Sequence, residues 1–72
     1  MFDFVVLGKY VKVKEALRSI EVVRSFYKEL WAEADNEKDS ASLDEIDERL
    51  AELDVMQVEL EKVEDECVGT LL

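Results

Sequence analysis

Apolar residues recur along most of this chain at intervals of three and four, the spacing that puts them on one side of a helix. The first run is Val6, Tyr10, Val13, Leu17, Ile20, Val23, Tyr27, Leu30 and Ala34; the second is Leu43, Ile46, Leu50, Leu53, Met56, Leu60, Val63 and Cys67. Between them lies Asp35-Asn36-Glu37-Lys38-Asp39-Ser40-Ala41, a polar stretch whose short side chains satisfy backbone groups locally and so favour a turn. The pattern predicts helix 1 over about residues 4–34, a turn over 35–41 and helix 2 over about 42–68, within one domain spanning 1–72.

Boundary signals refine this. Ser42-Leu43-Asp44-Glu45 matches a capping box, in which the Ser42 hydroxyl accepts from the Glu45 amide, so helix 2 is expected to start there. Gly69 is the expected stop, because glycine enters the left-handed conformation without a Cβ clash. The start is the weakest part: Val5, Val6, Val11 and Val13 are β-branched, Gly8 interrupts, and Phe2, Phe4 and Val6 alternate with Asp3, Val5 and Leu7 as a strand would. A lone hairpin of that size is marginal, so helix is the reading for residues 3–13.

Each run contains one place where two steps of three adjoin, at Ile20 to Val23 and at Leu53 to Met56, which reads as a local phase shift. If the chain folds back in the middle, residue i lies opposite roughly 77 minus i, and the two shifts fall at one level. The expected fold class is therefore all-α, an antiparallel helical hairpin of two long helices. Its core is Tyr10, Val13, Leu17, Ile20, Leu50, Leu53 and Leu60.

Seventy-two residues cannot bury a large core, and the usual reinforcements are missing: Cys67 is the only cysteine, and there is no histidine. Val22 and Phe26, with Trp31 further along, lie outside the seam and call for a partner. Dimerisation into a coiled-coil four-helix bundle is the plain expectation. An anchor patch of Val22, Phe26 and Trp31 for a different protein is the sharper one.

Charge changes the picture most. Up to residue 34, six Lys or Arg meet five acids; from residue 35 on, three bases meet fourteen acids, so the chain's net charge of −10 sits on its second half. Glu45, Glu48, Glu52, Glu59 and Glu66 fall on one stripe of helix 2, and Asp44, Asp47, Asp54, Glu61 and Asp65 on the next, an outer face close to continuous carboxylate. Like charges at i and i+4 cost a helix a few tenths of a kcal/mol each. Carboxylates roughly 5 to 6 Å apart on a rod about 40 Å long resemble a strand of phosphates.

The functional expectation is a non-enzymatic, acidic protein-binding module. Asp44, Glu45, Asp47, Glu48, Glu52 and Glu59 would dock on a basic, nucleic-acid-binding surface of a host protein, as small phage or viral inhibitors that mimic nucleic acid do. The alternative is a structural oligomerisation module whose acids only keep it in solution. A minor alternative is RNA binding by a helical dimer of the Rop type, through Lys9, Lys12, Lys14, Arg18, Arg24 and Lys28; interleaved Glu15, Glu21 and Glu29 weaken that field. Direct nucleic-acid contact and membrane partners are not expected. The apolar start from Met1 to Leu7 is too short to span a bilayer and lacks a basic leader, which suggests an intracellular protein, in a host cytoplasm under the inhibitor reading.

Catalytic, metal and cofactor chemistry finds no footing. Asp35, Glu37 and Asp39 occupy the first, third and fifth places of an EF-hand loop, but Ser40 stands where the sharp turn needs glycine and Ile46 where a bidentate glutamate closes the site. No histidine can act as base for a serine or for Cys67, and no glycine-rich loop exists to cradle phosphate.

Overall fold

A computed structural model describes residues 3–72 of the chain as two helices, α1 (Phe4–Asn36) and α2 (Ser40–Leu71). They pack against each other as an antiparallel hairpin, a rod of 58 × 15 × 14 Å. Met1 and Phe2, where the strand-like alternation and the apolar start begin, lie outside the described residues.

Residues 4–13 are helical despite their β-branched content, and the cause is a cap. Asp3 has extended backbone, and its Oδ1 accepts from the amides of Val5 and Val6, both at 3.1 Å. Two of the amides that a helix start leaves without partners are thereby satisfied, by a side chain whose charge suits the positive helix end. The valines then add helical turns to a nucleus that already exists.

The turn is tighter than its composition suggests, and it needs no glycine. Helix α1 continues to Asn36, Glu37 caps it, and Lys38 alone adopts the left-handed conformation, at φ 57°. The Lys38 amide donates to the Asp35 carbonyl at 3.1 Å and the Asp39 amide to the Ala34 carbonyl at 3.0 Å. That pair of bonds is a Schellman motif with lysine in the place glycine usually holds.

Asp39 then starts α2. Its Oδ1 accepts from the Ser42 amide at 3.2 Å and its Oδ2 from the Ser42 hydroxyl at 2.6 Å. The expected capping box is thus corrected: Asp39 is the N-cap, and Ser42 is a first-turn residue held by it. These two hydrogen bonds to the charged form also lower the Asp39 pKa below its ordinary value. The expected stop at Gly69 is corrected as well. Helix α2 runs through it to Leu71, and Thr70 is tied back to the Glu66 carbonyl at 3.0 Å.

The seam follows the expected level pairing to within one residue. Lys14 meets Glu64, and Arg24 meets Asp54. Val13, Ile20, Ala34, Ile46 and Cys67 are buried; Tyr10, Leu17, Leu50, Leu53 and Leu60 are half-buried. The expected phase shifts do not occur. Inward-facing positions keep an alternation of three and four, through Val13, Leu17, Ile20, Arg24 and Tyr27 in α1 and through Leu53, Gln57, Leu60, Glu64 and Cys67 in α2. Val23, Leu30 and Met56, assigned to the seam by their apolarity, are instead 40%, 38% and 49% exposed.

The mid-hairpin level is therefore polar. One Arg24 guanidinium nitrogen donates to Asp54 Oδ1 at 2.9 Å and also to Gln57 Oε1, while Gln57 Nε2 donates to Glu61 Oε1 at 2.9 Å. Closer to the termini, Lys14 Nζ stands 3.2 Å from Glu64 Oε2 and 5.9 Å from the centroid of the Tyr10 ring. That Glu64 oxygen is shut off from solvent and accepts no well-aligned hydrogen bond, so the ammonium is its compensation.

Candidate interaction surfaces

Labelling the seam positions a and d of a heptad assigns every other position to a side of the rod. Next to d on both helices are the g positions: Ala16, Val23 and Leu30 in α1, Arg49, Met56 and Val63 in α2. Beyond them lie Ser19 and Phe26 on α1, and Glu45, Glu52, Glu59 and Glu66 on α2. The flank next to a is polar, with Lys14, Arg18, Glu21, Glu61, Glu64 and Asp65 around a shallow cleft. The hairpin thus has one sticky side and one charged side.

All six acids singled out from the sequence, Asp44, Glu45, Asp47, Glu48, Glu52 and Glu59, are exposed. Glu52 alone has a cation, with Arg49 Nη1 3.2 Å from its Oε2 on the adjoining turn. The same contact raises the Arg49 pKa above its ordinary value, through the hydrogen bond first and the charge second. Both ion pairs that cross between the helices, Lys14 with Glu64 and Arg24 with Asp54, engage none of these six acids.

The face is not continuous, which corrects the sequence picture. Val55 and Val58, 59% and 52% exposed, interrupt it in mid-helix and leave Glu59 beyond the break. Carboxylates concentrate instead toward the turn. There a cleft of roughly 350 Å³ between the helix ends is bordered by Glu33, Glu37, Asp39 and Glu45 against one cation, Arg49, over a floor that includes Ala34 and Ile46. Glu33, Glu37 and Asp39 were not among the acids expected from the sequence to dock on a partner. Their convergence depends on the three-residue turn, which folds the end of α1 onto the start of α2.

The apolar patch also rearranges. Val22 and Phe26, 66% and 63% exposed, cluster with Val23, Tyr27 and Leu30. Trp31 does not join them, although it too is exposed, at 37%. The missed members were legible by period alone, since Val23 and Leu30 follow Ala16 at intervals of seven, as Val63 follows Met56.

The six bases of α1 share no face. Arg24 is drawn inward by Asp54 and Gln57, Lys14 is engaged by Glu64, and a helical step of 100° spreads Lys9, Lys12, Arg18 and Lys28 around the rod. Among the described residues, no three His, Cys, Asp or Glu side chains converge to hold a metal ion, and no helix is long and apolar enough to cross a membrane. Cys67 is a free thiol only 3% exposed, packed as a small apolar residue. No protein-family model, curated protein or solved structure matches the chain.

Proposed function

We propose that the chain is a non-enzymatic binding module, homodimeric through its apolar flank, that docks the turn end of its acidic side on a basic protein surface. The observation that carries this reading is the uncompensated charge there. Asp44, Asp47 and Glu48 are exposed and in no ion pair, and the neighbouring cleft adds Glu33, Glu37, Asp39 and Glu45 against one arginine, which Glu52 already engages. Repulsion at this density works against the fold, and a lysine- or arginine-rich surface relieves it on contact. Its most specific form is an inhibitor that occupies a groove built for nucleic acid, as small viral proteins do inside a host cell. Asp44 to Glu48 span only about 6 Å of helix axis, so the mimicry is of a few phosphates.

The test compares the parent chain with a Glu48→Lys, Glu52→Lys variant on a column charged with lysate of the source cells. Under this reading a defined partner is retained at low salt, released near 0.5 M salt, where the screening length falls to about 4 Å, and displaced by duplex DNA. The reversed variant loses it. Retention that survives both high salt and the charge reversal would exclude electrostatic docking.

A second reading, a structural oligomerisation module whose acids only solubilise, draws on the apolar flank. It predicts that the same reversal leaves function intact.

A further inference from the structure

We propose that two copies of this chain pair through the flank bearing Ala16, Val23, Phe26, Leu30, Met56 and Val63, with both turns at the same end of the bundle. Each α1 then lies along the α2 of the other copy. This deepens the dimeric part of the function proposed above and rests on it.

The flank is a second seam. A shallow groove of roughly 390 Å³ runs along it, lined by Ala16, Ser19, Val23 and Met56 with the edges of core residues Ile20, Leu53 and Leu60. Phe26 and Leu30 extend the apolar surface on the α1 side. A helix in a four-helix bundle faces two neighbours and so needs apolar residues at three of every seven positions, whereas a two-helix pair needs only a and d. The side chains left over from the first seam fill that third position.

Area and self-sufficiency identify the occupant as a second copy. The rod exposes 5630 Å². Surface scaling gives roughly 4,600 Å² for a folded monomer of this mass, an excess of about 1,000 Å², close to the roughly 800 Å² that each partner loses in a standard interface. With so few buried side chains the hairpin needs that burial for its own folding, and the partner always present with the chain is the chain itself.

Charge selects the arrangement. Helix α1 carries six bases and five acids, helix α2 two bases and eleven acids. Stacking two hairpins with turns at opposite ends sets α1 on α1 and α2 on α2, which brings the edge formed by Glu45, Glu52, Glu59 and Glu66 against its own copy. With the turns together, the acidic helices occupy diagonal corners and each faces a nearly neutral helix. The level pairing that holds within one hairpin then places Lys12 of one copy beside Glu66 of the other.

The experiment combines mass with one distance. Light scattering on the unmodified chain is expected to give twice the 8.3 kDa chain mass; a monomer at micromolar concentration overturns the proposal. Spin labels on Lys38→Cys in a Cys67→Ala background are expected on the order of 20 Å apart, two helix diameters. A separation near the 58 Å length of the rod overturns the arrangement. The same labelling with Cys67 retained, its thiol shut from solvent, guards against a core defect. Val23→Glu with Met56→Glu is expected to yield monomers, folded or unfolded, while Val58→Glu on the outer side leaves the dimer intact; a helical dimer in the double variant overturns the choice of face. A chain that pairs as described yet fails the salt and charge-reversal test leaves this proposal standing without the docking function.

Discussion

Lys38 is the residue at which sequence and conformation pull apart. A non-glycine side chain in the left-handed region costs on the order of 1 kcal/mol, and nothing in the turn repays it with a contact of the lysine side chain. Lys38→Gly is therefore expected to raise stability by about 0.5 to 1 kcal/mol, net of the extra freedom glycine gives the unfolded chain. Urea melts at matched concentration would read it. Gly8 sits inside α1 with open space where a Cβ would go, so Gly8→Ala should add roughly 0.5 to 1 kcal/mol; a loss of stability would show that another chain packs there. Asp39 works in the other direction. Its carboxylate is held below its ordinary pKa by Ser42, so the stability it lends is present above the unfolded value of 3.8 and is lost as pH falls through the lowered one. Asp39→Asn, which keeps an acceptor for the Ser42 amide, should remove that part of the acid dependence, while Asp39→Ala should fray the start of α2 in amide exchange. The stretch 35–41 advertised a turn and Ser42 a cap, but only the geometry of the turn shows that Asp39 takes the N-cap place and holds Ser42.

The two helices were legible because their period survives the exceptions, and the misreading of the seam has a physical cause. Val23 and Met56 each sit one position before a polar seam residue, Arg24 and Gln57. Ranking positions by apolarity alone moves the seam onto the valine and the methionine and creates a phase shift that the backbone does not make. An arginine and a glutamine facing each other in mid-seam fix the level pairing, much as a single polar layer fixes register in coiled coils. Such a layer contributes little net stability. Replacing it by Arg24→Leu with Gln57→Leu is expected to leave the hairpin as stable or up to a few kcal/mol more so, at the expense of a single alignment, seen as broadened or doubled amide peaks in an NMR spectrum. Removing only the cation at the other polar contact is different. Lys14→Met strands the enclosed oxygen of Glu64 and should cost on the order of 1 kcal/mol, read as a lower melting temperature.

As a whole the molecule is a thin rod with its charge on one side, and both features have consequences in solution. Asp44 with Glu48, Glu48 with Glu52, and Glu61 with Asp65 are like-charge neighbours at i and i+4, each unfavourable by a few tenths of a kcal/mol. Added salt should therefore raise the melting temperature, by a few degrees for a change of about 1 kcal/mol in a chain of this size; a melting point that falls with salt would mean that the crossing ion pairs outweigh the repulsion. A charge placed in the seam has the opposite character. Leu17→Asp or Leu50→Asp buries an unpaired carboxylate in a core with little else to hold it and is expected to abolish the thermal transition altogether.

The lopsided division of charge between α1 and α2 also acts before any contact is made. Near a cationic surface the field turns the rod broadside with α2 leading, so that a collision from any starting attitude ends with the carboxylates forward. Ionic strength should then slow capture far more than it hastens release, and the speed of encounter, more than the lifetime of the complex, is what this asymmetry governs.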